Sequence, residues 1–242
     1  MLVTGLCTVS VLVPTYMESK NVDPLIECIN KNLSAYTFEV VVIDDNSSDG
    51  TADEIRKLKE NYGNIKLIER AKKMGLGSAY RDGFKAASYD FIVEMDADLS
   101  HNPEEIPKLL SGLNPTDADV VIGSRYIKGG NIVGWSWGRK LTSWAANRFA
   151  RASLGLKPKD VTSGFRVYTR AAFEKIITNS KLNGYAFQIE VLYLASKFGF
   201  KVKEVPITFT ERRMGKSKLG TKEIFQFAKS IISLRFRKIK GA

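Results

Sequence analysis

Asp96-Ala97-Asp98 stands directly after the apolar run at residues 91–95 (FIVEM), where a buried strand opens into a loop. Two carboxylates at i and i+2 project near one another there. Their hard oxygens suit Mg²⁺ or Mn²⁺, and such an ion usually also takes substrate phosphates. A lone D-x-D is equally what a solvated loop carries, so context has to decide. Asp44-Asp45 ends a neighbouring apolar run in the same way. Two acidic strand ends on one sheet edge are hard to explain by packing, because uncompensated carboxylates repel. The other reactive residue types are sparse. His101 is the single histidine, read as structural, and no nucleophile–base pair stands out. Cys7 and Cys28 form no CxxC, which excludes a disulfide framework and a Cys/His zinc site and fits a reducing cytosolic compartment.

Elements that would position these acids are legible over the first half. Short β-branched runs at 9–13, 38–43, 65–68, 91–95 and 119–122 read as buried strands. Helical patterns at 22–33, 51–62, 75–87 and 103–113 separate them, with Thr51 as an N-cap. Alternating strands and helices predict an α/β fold built on a mostly parallel, doubly wound sheet. Ligands bind such sheets beyond the C-terminal strand ends. Those ends carry Pro14-Thr15-Tyr16, Asp44-Asp45 and Asp96-Ala97-Asp98. The second half is less regular: one or two helices at 135–154, strands at 165–168 and 202–209, and a helix at 186–198 buried on one face. Residues 221–239 form a basic amphipathic helix. The simplest organisation is one domain over 1–220 with a C-terminal helix over 221–242.

The 242 residues are 44% hydrophobic and 26% charged, as in an ordinary globular protein, and no run of about 18 apolar residues could span a membrane. The net charge of +11 hides a split: residues 1–120 sum to −8 and residues 121–242 to +19. The basic half suits an anionic partner, whether nucleic acid, lipid headgroup or phosphorylated substrate; a solvated surface would look the same. Gly75-Leu76-Gly77 fits either a phosphate-cradling turn or a plain tight start to a helix, with Lys72 and Lys73 beside it. Trp135, Trp137 and Trp144 interleave with Arg139, Lys140, Arg148 and Arg151, a pattern of membrane interfaces and also of ordinary cores.

The ordered set VLVPTYMES (11–19), VVIDDNSSDGT (41–51), KKMGLGSAYRDGF (72–84), MDADLSHNPEEIPKL (95–109), DVVIGSRYIKGG (119–130), GRKLTSWAANRFAR (138–151), DVTSGFRVYTR (160–170) and RRMGKSKLG (212–220) resembles the inverting nucleotide-sugar glycosyltransferases of the GT-A fold, family 2. Within them it is most similar to the polyprenol-phosphate mannosyltransferases. The resemblance spans roughly residues 9–230 and implies a residue-by-residue reading. Pro14, Tyr16 and Glu18 match positions that hold the nucleoside, and Ile43 and Asp45 match positions near the guanine and ribose. Asp96, Ala97 and Asp98 match the motif for the diphosphate and its Mg²⁺ or Mn²⁺, with Asp96 and Asp98 as metal ligands. The family often has Gln where Ser100 stands, which leaves a third protein ligand open. Arg125 and Arg139 match arginines near the reacting phosphates, and Ser143 lies close to the acceptor phosphate. Arg212 and Lys218 match a loop over the donor. Asp160 matches a segment on the acceptor side, where it would orient Arg139 or another cation.

The resemblance implies transfer of mannose from GDP-mannose to polyprenyl or dolichyl phosphate, with inversion. The attacking phosphate oxygen is already anionic, so Asp98, Arg125 and Arg139 would act by charge and positioning without a strong base. It also implies a place at the cytoplasmic face of the plasma or endoplasmic reticulum membrane. Small membrane subunits are implied as further partners, since relatives either continue into transmembrane helices or use such subunits; the sequence given ends at Ala242. UDP-glucose as donor would preserve the mechanism. A nucleic-acid-binding module would use the basic half, but no helix-turn-helix, OB or RRM pattern supports it. A catalytically dead scaffold would not need Asp96, Asp98, Arg125 and Arg139.

Overall fold

The computed structural model describes residues 7–113, 117–211 and 221–239. Five parallel-sheet strands arrive as expected: β1 (Thr8–Thr15), β2 (Thr37–Asp44), β3 (Ile65–Glu69), β4 (Phe91–Glu94) and β5 (Val120–Ser124). Between them run α1 (Val22–Asn32), α2 (Thr51–Asn61), α3 (Leu76–Ala86) and α4 (Ile106–Gly112). The chain continues through β6 (Asn131–Val133), α5 (Trp137–Leu154), β7 (Arg166–Thr169), α6 (Arg170–Asn179) and α7 (Phe187–Lys197), and then β8 (Val202–Pro206), β9 (Thr208–Thr210) and α8 (Thr221–Phe236).

Seven strands form one sheet in the order β3-β2-β1-β4-β7-β5-β8. All neighbours are parallel except β7, which lies antiparallel between β4 and β5. Alternation sends Val9, Val11 and Val13 to the layer of α1, α2 and α4. Leu12, Val41, Ile43 and Ile92 face α3, α6 and α7 on the other side. Both faces of the sheet are covered by helices, which is why the strands read as continuous apolar runs. A third cluster joins Ala150 of α5 and Leu192 of α7 to Ile231 and Leu234 of α8.

Several expectations need correction. The run 202–209 is not one strand. It pairs with β5 as far as Pro206, turns through the buried Ile207, and then pairs with β6 in a separate parallel ribbon. Gly50, at φ 89°, precedes α2, while the Thr51 hydroxyl donates to Asp49 and accepts from the Glu18 N–H. Thr51 therefore pins two loops and is no cap. Helix α7 is buried over nine consecutive residues, from Phe187 to Ala195, because α8 and α5 cover the side turned away from the sheet.

Candidate active site

The C-terminal ends of β1, β2 and β4 converge on one edge. Beyond each end stands a non-glycine residue with left-handed backbone: Met17 (φ 63°), Asn46 (φ 59°) and Leu99 (φ 60°). Each costs on the order of 1 kcal/mol or more, and such strain collects at functional sites. The strain is held by hydrogen bonds. Asp44 accepts from Thr15 Oγ1 (2.9 Å), Ser47 N–H (2.8 Å) and Ser47 Oγ (2.6 Å), which closes the 44–47 turn. Asp98 accepts the Ser100 N–H (3.1 Å) across Leu99.

The expected nucleoside positions divide. Pro14 sits inside β1, past its last pairing with β4, where a missing N–H costs no ladder bond. Tyr16 is half-buried, with the Lys73 ammonium 3.7 Å above its ring. Glu18 accepts from the Asn21 amide (2.6 Å). Asp45 is buried and engaged: Arg70 donates to Oδ1 (2.5 Å), and the Met74 and Gly75 N–H groups donate to Oδ2 (both 3.3 Å). Ile43 differs in its side chain. Its side chain is fully buried, and a Cβ on Gly83 of α3 would come within 2.7 Å of its Cδ1. It is core, so only its backbone could meet a ligand. The Gly75-Leu76-Gly77 turn is a tight start to α3, where a Cβ on Gly77 would meet the Leu182 carbonyl oxygen at 2.1 Å.

Behind Asp96 the site is aromatic. The Asp96 N–H donates to His101 Nδ1 (3.1 Å), so that nitrogen carries no proton. Complete burial also holds the imidazole below its usual pKa, although Asp96 and Asp98 pull the other way. The approach of His101 Nδ1 to Asp96 Oδ2 (3.7 Å) is therefore not an ion pair. The ring stacks on Phe165 (5.1 Å) and meets Phe209 edge-on (5.4 Å). His101 is structural, as read from its isolation in the sequence.

Arg125 follows β5 and is buried against Asp160. Nε donates to Oδ2 and Nη2 to Oδ1, both at 2.7 Å, and the Arg125 N–H adds a third bond (3.0 Å). Burial pushes the Asp160 carboxyl up, but Arg125 outweighs it and holds the group below the usual carboxylate range. Asp160 thus orients Arg125, one of the two options its position offered. The Tyr126 hydroxyl donates to Ser143 Oγ (2.8 Å). Asn147 ties α5 to the 160–163 loop by donating to Thr162 Oγ1 and accepting from the Val161 N–H.

Ser136 caps α5 and places Arg139 in its first turn. The guanidinium lies 4.2 Å from the Trp135 ring centroid and pairs with Glu211 (2.8 Å). Trp135 itself is half-buried against Phe209. Trp137 and Trp144 are exposed at 78% and 52%, beside exposed Leu141 and Phe149. On α8, Ile231 and Leu234 pack inward while Ile232 and Phe236 are exposed. Arg212 and Lys218 lie outside the described residues.

Asp96 has a side chain 40% exposed and Asp98 is nearly buried. Among the described residues no group of three or more His, Cys, Asp or Glu gathers to hold a metal ion. Two carboxylate donors at a strand end fit a divalent ion that completes its shell with phosphate oxygens and water. Residues missed in the sequence are Arg70, Phe209 and Glu211, whose partners Asp45, His101 and Arg139 lie far away along the chain.

The sequence profile of Glycosyl transferase family 2 matches residues 10–177. Polyprenol monophosphomannose synthase of Mycolicibacterium smegmatis is 40% identical over 221 residues, covering 88% of this chain and 82% of that protein. Dolichol-phosphate mannosyltransferase of Pyrococcus furiosus is 41% identical over 228 residues, covering 93% of this chain but only 63% of that one. Among solved structures, glucosyl-3-phosphoglycerate synthase of Mycobacterium tuberculosis, in complex with Mn²⁺, UDP and glucosyl-3-phosphoglycerate, superposes with a TM-score of 0.69. It is 19% identical and matches 95% of this chain and 78% of that one, a likeness of fold.

Proposed function

The chain belongs to glycosyl transferase family 2, and on that premise we propose that it moves mannose from GDP-mannose to the phosphate of polyprenyl or dolichyl phosphate. The product would be the β-linked polyprenyl phosphate mannose, formed with inversion, with GDP released. The observation that carries the reading is the pairing of an acidic strand end, Asp96 and Asp98, with two arginines held by their own carboxylates, Arg125 by Asp160 and Arg139 by Glu211. The reading is also supported by the names of relatives 40–41% identical to this chain, polyprenol monophosphomannose synthase and dolichol-phosphate mannosyltransferase.

In this reading Pro14, Tyr16, Glu18 and Asp45 border the nucleoside. Asp96, Asp98 and the Ala97 backbone border the diphosphate. A bound Mg²⁺ or Mn²⁺ would neutralise charge on the leaving diphosphate as a Lewis acid. The chain's own work is positioning. Arg125, fixed bidentately by Asp160 and bonded through Nη2 to Thr162 Oγ1, would offer its Nη1 group without conformational search. Arg139, Ser143 and Tyr126 border the acceptor phosphate, which needs no base because it arrives ionised. Arg212 and Lys218 remain assigned to the donor. The exposed Trp137, Leu141, Trp144 and Phe149 of α5, with Lys140 and Arg148, suit an anionic membrane surface from which a lipid phosphate would be taken. Among the described residues no helix is long and apolar enough to cross a membrane. Small membrane subunits and a cytoplasmic-face location belong to the same proposal.

The test is transfer of radiolabelled sugar from GDP-mannose, and separately UDP-glucose, to a short polyprenyl phosphate with Mg²⁺ or Mn²⁺. Mannolipid from GDP-mannose alone is the expected result. Transfer only from UDP-glucose would overturn the donor while leaving the acceptor chemistry.

A further inference from the structure

The geometry points to Glu211 as a positioning residue that sets the acceptor arginine, Arg139, through an ion pair and an aromatic stack anchored on the Asp96–Asp98 loop. This rests on the reading of Arg139 as an acceptor-phosphate residue.

Glu211 follows β9, and its place is fixed by backbone. Its N–H donates to the Val133 carbonyl (2.9 Å), extending the β6·β9 ribbon by one bond. Gly134, at φ 88°, has no side chain where Glu211 lies: a Cβ there would come within 2.7 Å of Glu211 Cβ. The carboxylate therefore reaches Arg139 from a rigid base. Arg139 Nη1 donates to Glu211 Oε1 (2.8 Å), while the guanidinium carbon lies over the Trp135 ring, 4.2 Å from its centroid. Trp135 meets Phe209 edge-on (5.3 Å), and Phe209 meets His101, which accepts the Asp96 N–H. A second strut is direct: the Thr210 N–H donates to the Ser100 carbonyl (3.2 Å). The ribbon is thus a bracket between the acidic loop and the arginine.

The chemistry favours orientation over simple attraction. Glu211 engages Nη1 and the Trp135 ring holds the guanidinium carbon, which together restrict the direction of the Nε–Nη2 edge. A planar fork gripping phosphate bidentately gains from that preorganisation. An unrestrained long side chain would lose rotamer freedom when phosphate binds. Glu211 is 43% exposed at its side chain, so its own charge is well screened and its use is geometric.

The experiment compares Glu211→Ala, Glu211→Gln, Arg139→Ala and the double variant Glu211→Ala/Arg139→Ala in the full chain. It reads KM for polyprenyl phosphate, kcat and the Kd for the donor. Circular dichroism confirms folding. Glu211→Ala should raise the acceptor KM about tenfold, the size of one charge-assisted hydrogen bond, with donor Kd within about twofold. Glu211→Gln keeps an acceptor oxygen for Arg139 and should recover most of the loss. In the Arg139→Ala background, Glu211→Ala should add nothing. A fall in acceptor KM in Glu211→Ala would mean that the carboxylate competes with phosphate, and an unchanged KM would mean that it does not position Arg139; either overturns the inference. If Arg139→Ala itself leaves acceptor KM unchanged, the acceptor reading fails first and the inference with it.

Discussion

Removing Asp160 should unmake the site more than removing any single ligand-facing group. The carboxylate is completely buried and accepts from Arg125 three times, from the Ser163 N–H (3.1 Å) and from Thr162 Oγ1 (3.3 Å). Asp160→Ala leaves Arg125, itself only 8% exposed, with a buried charge and no counter-ion. Breaking one side of a buried pair in this way costs roughly 3–5 kcal/mol. At about 2–4 °C per kcal/mol for a chain of this size, the melting temperature should fall by roughly 6–20 °C. Asp160→Asn keeps the volume and one carbonyl oxygen, but turns an amide donor toward the guanidinium, so it should recover only part of the loss. The pair also has a pH signature. The folded carboxyl lies below its unfolded value, so its stabilisation is present above about pH 4 and lost as pH falls through the lower folded value. Calorimetry across pH 3–8 measures both effects. A melting temperature within about 2 °C of wild type, with unchanged acceptor KM, would show that Arg125 rehydrates freely and that Asp160 does not hold it.

Asp98→Ala should reduce transfer at least about a hundredfold, since the substitution removes one of the two carboxylates of the D-x-D that follows β4; turnover near wild type in the lipid assay would sink the metal assignment. Glu94→Gln should flatten the pH dependence of stability. Burial raises the folded Glu94 carboxyl to about 7 despite Arg166 and the Tyr168 hydroxyl, so wild type loses up to ~3 kcal/mol as pH climbs from about 4 to 7 and the neutral amide does not. Parallel melting curves against pH for the two proteins would contradict this. Replacing Trp137 and Trp144 together by Ala should weaken sedimentation with anionic vesicles about tenfold and leave donor binding alone; unchanged sedimentation would move the membrane contact elsewhere.

The first 120 residues were legible because both faces of the sheet are covered, so each strand announces itself as an apolar run ended by polar residues. The later elements hide for physical reasons. Strand β7 reads as a strand, but nothing in four residues tells that it inserts antiparallel between β4 and β5. Strand β6 is three residues long, below any periodicity, and the single run at 202–209 divides only because two different partners claim its halves. Asp96-Ala97-Asp98 stood out by its place at the end of an apolar run, which the identical tripeptide Asp117-Ala118-Asp119 lacks. Its supports did not, because Arg125 and Asp160 are 35 residues apart, and Arg139 and Glu211 are 72 apart. The burial of the Ile43 side chain was hidden for the opposite reason: a strand end beside a ligand edge carries core side chains as well as ligand-facing ones, and the pleat alone separates them.

The charge division along the chain acquires a mechanical meaning on the proposed reading. Two phosphate-bearing molecules must be brought together, and a site of freely moving cations would bind both without aligning either. Here the cations of the second half are tethered. Arg125 is neutralised inside the protein by Asp160, so it contributes direction and hydrogen-bond donors more than long-range attraction. Arg139 is half-neutralised by Glu211 and stacked on Trp135. Long-range attraction falls instead to the exposed Lys140 and Arg148 around α5. Steering and alignment are thus assigned to different residues. Salt should therefore weaken capture of the acceptor while leaving its turnover, once bound, nearly constant, because screening acts on the exposed charges and hardly on the buried pair.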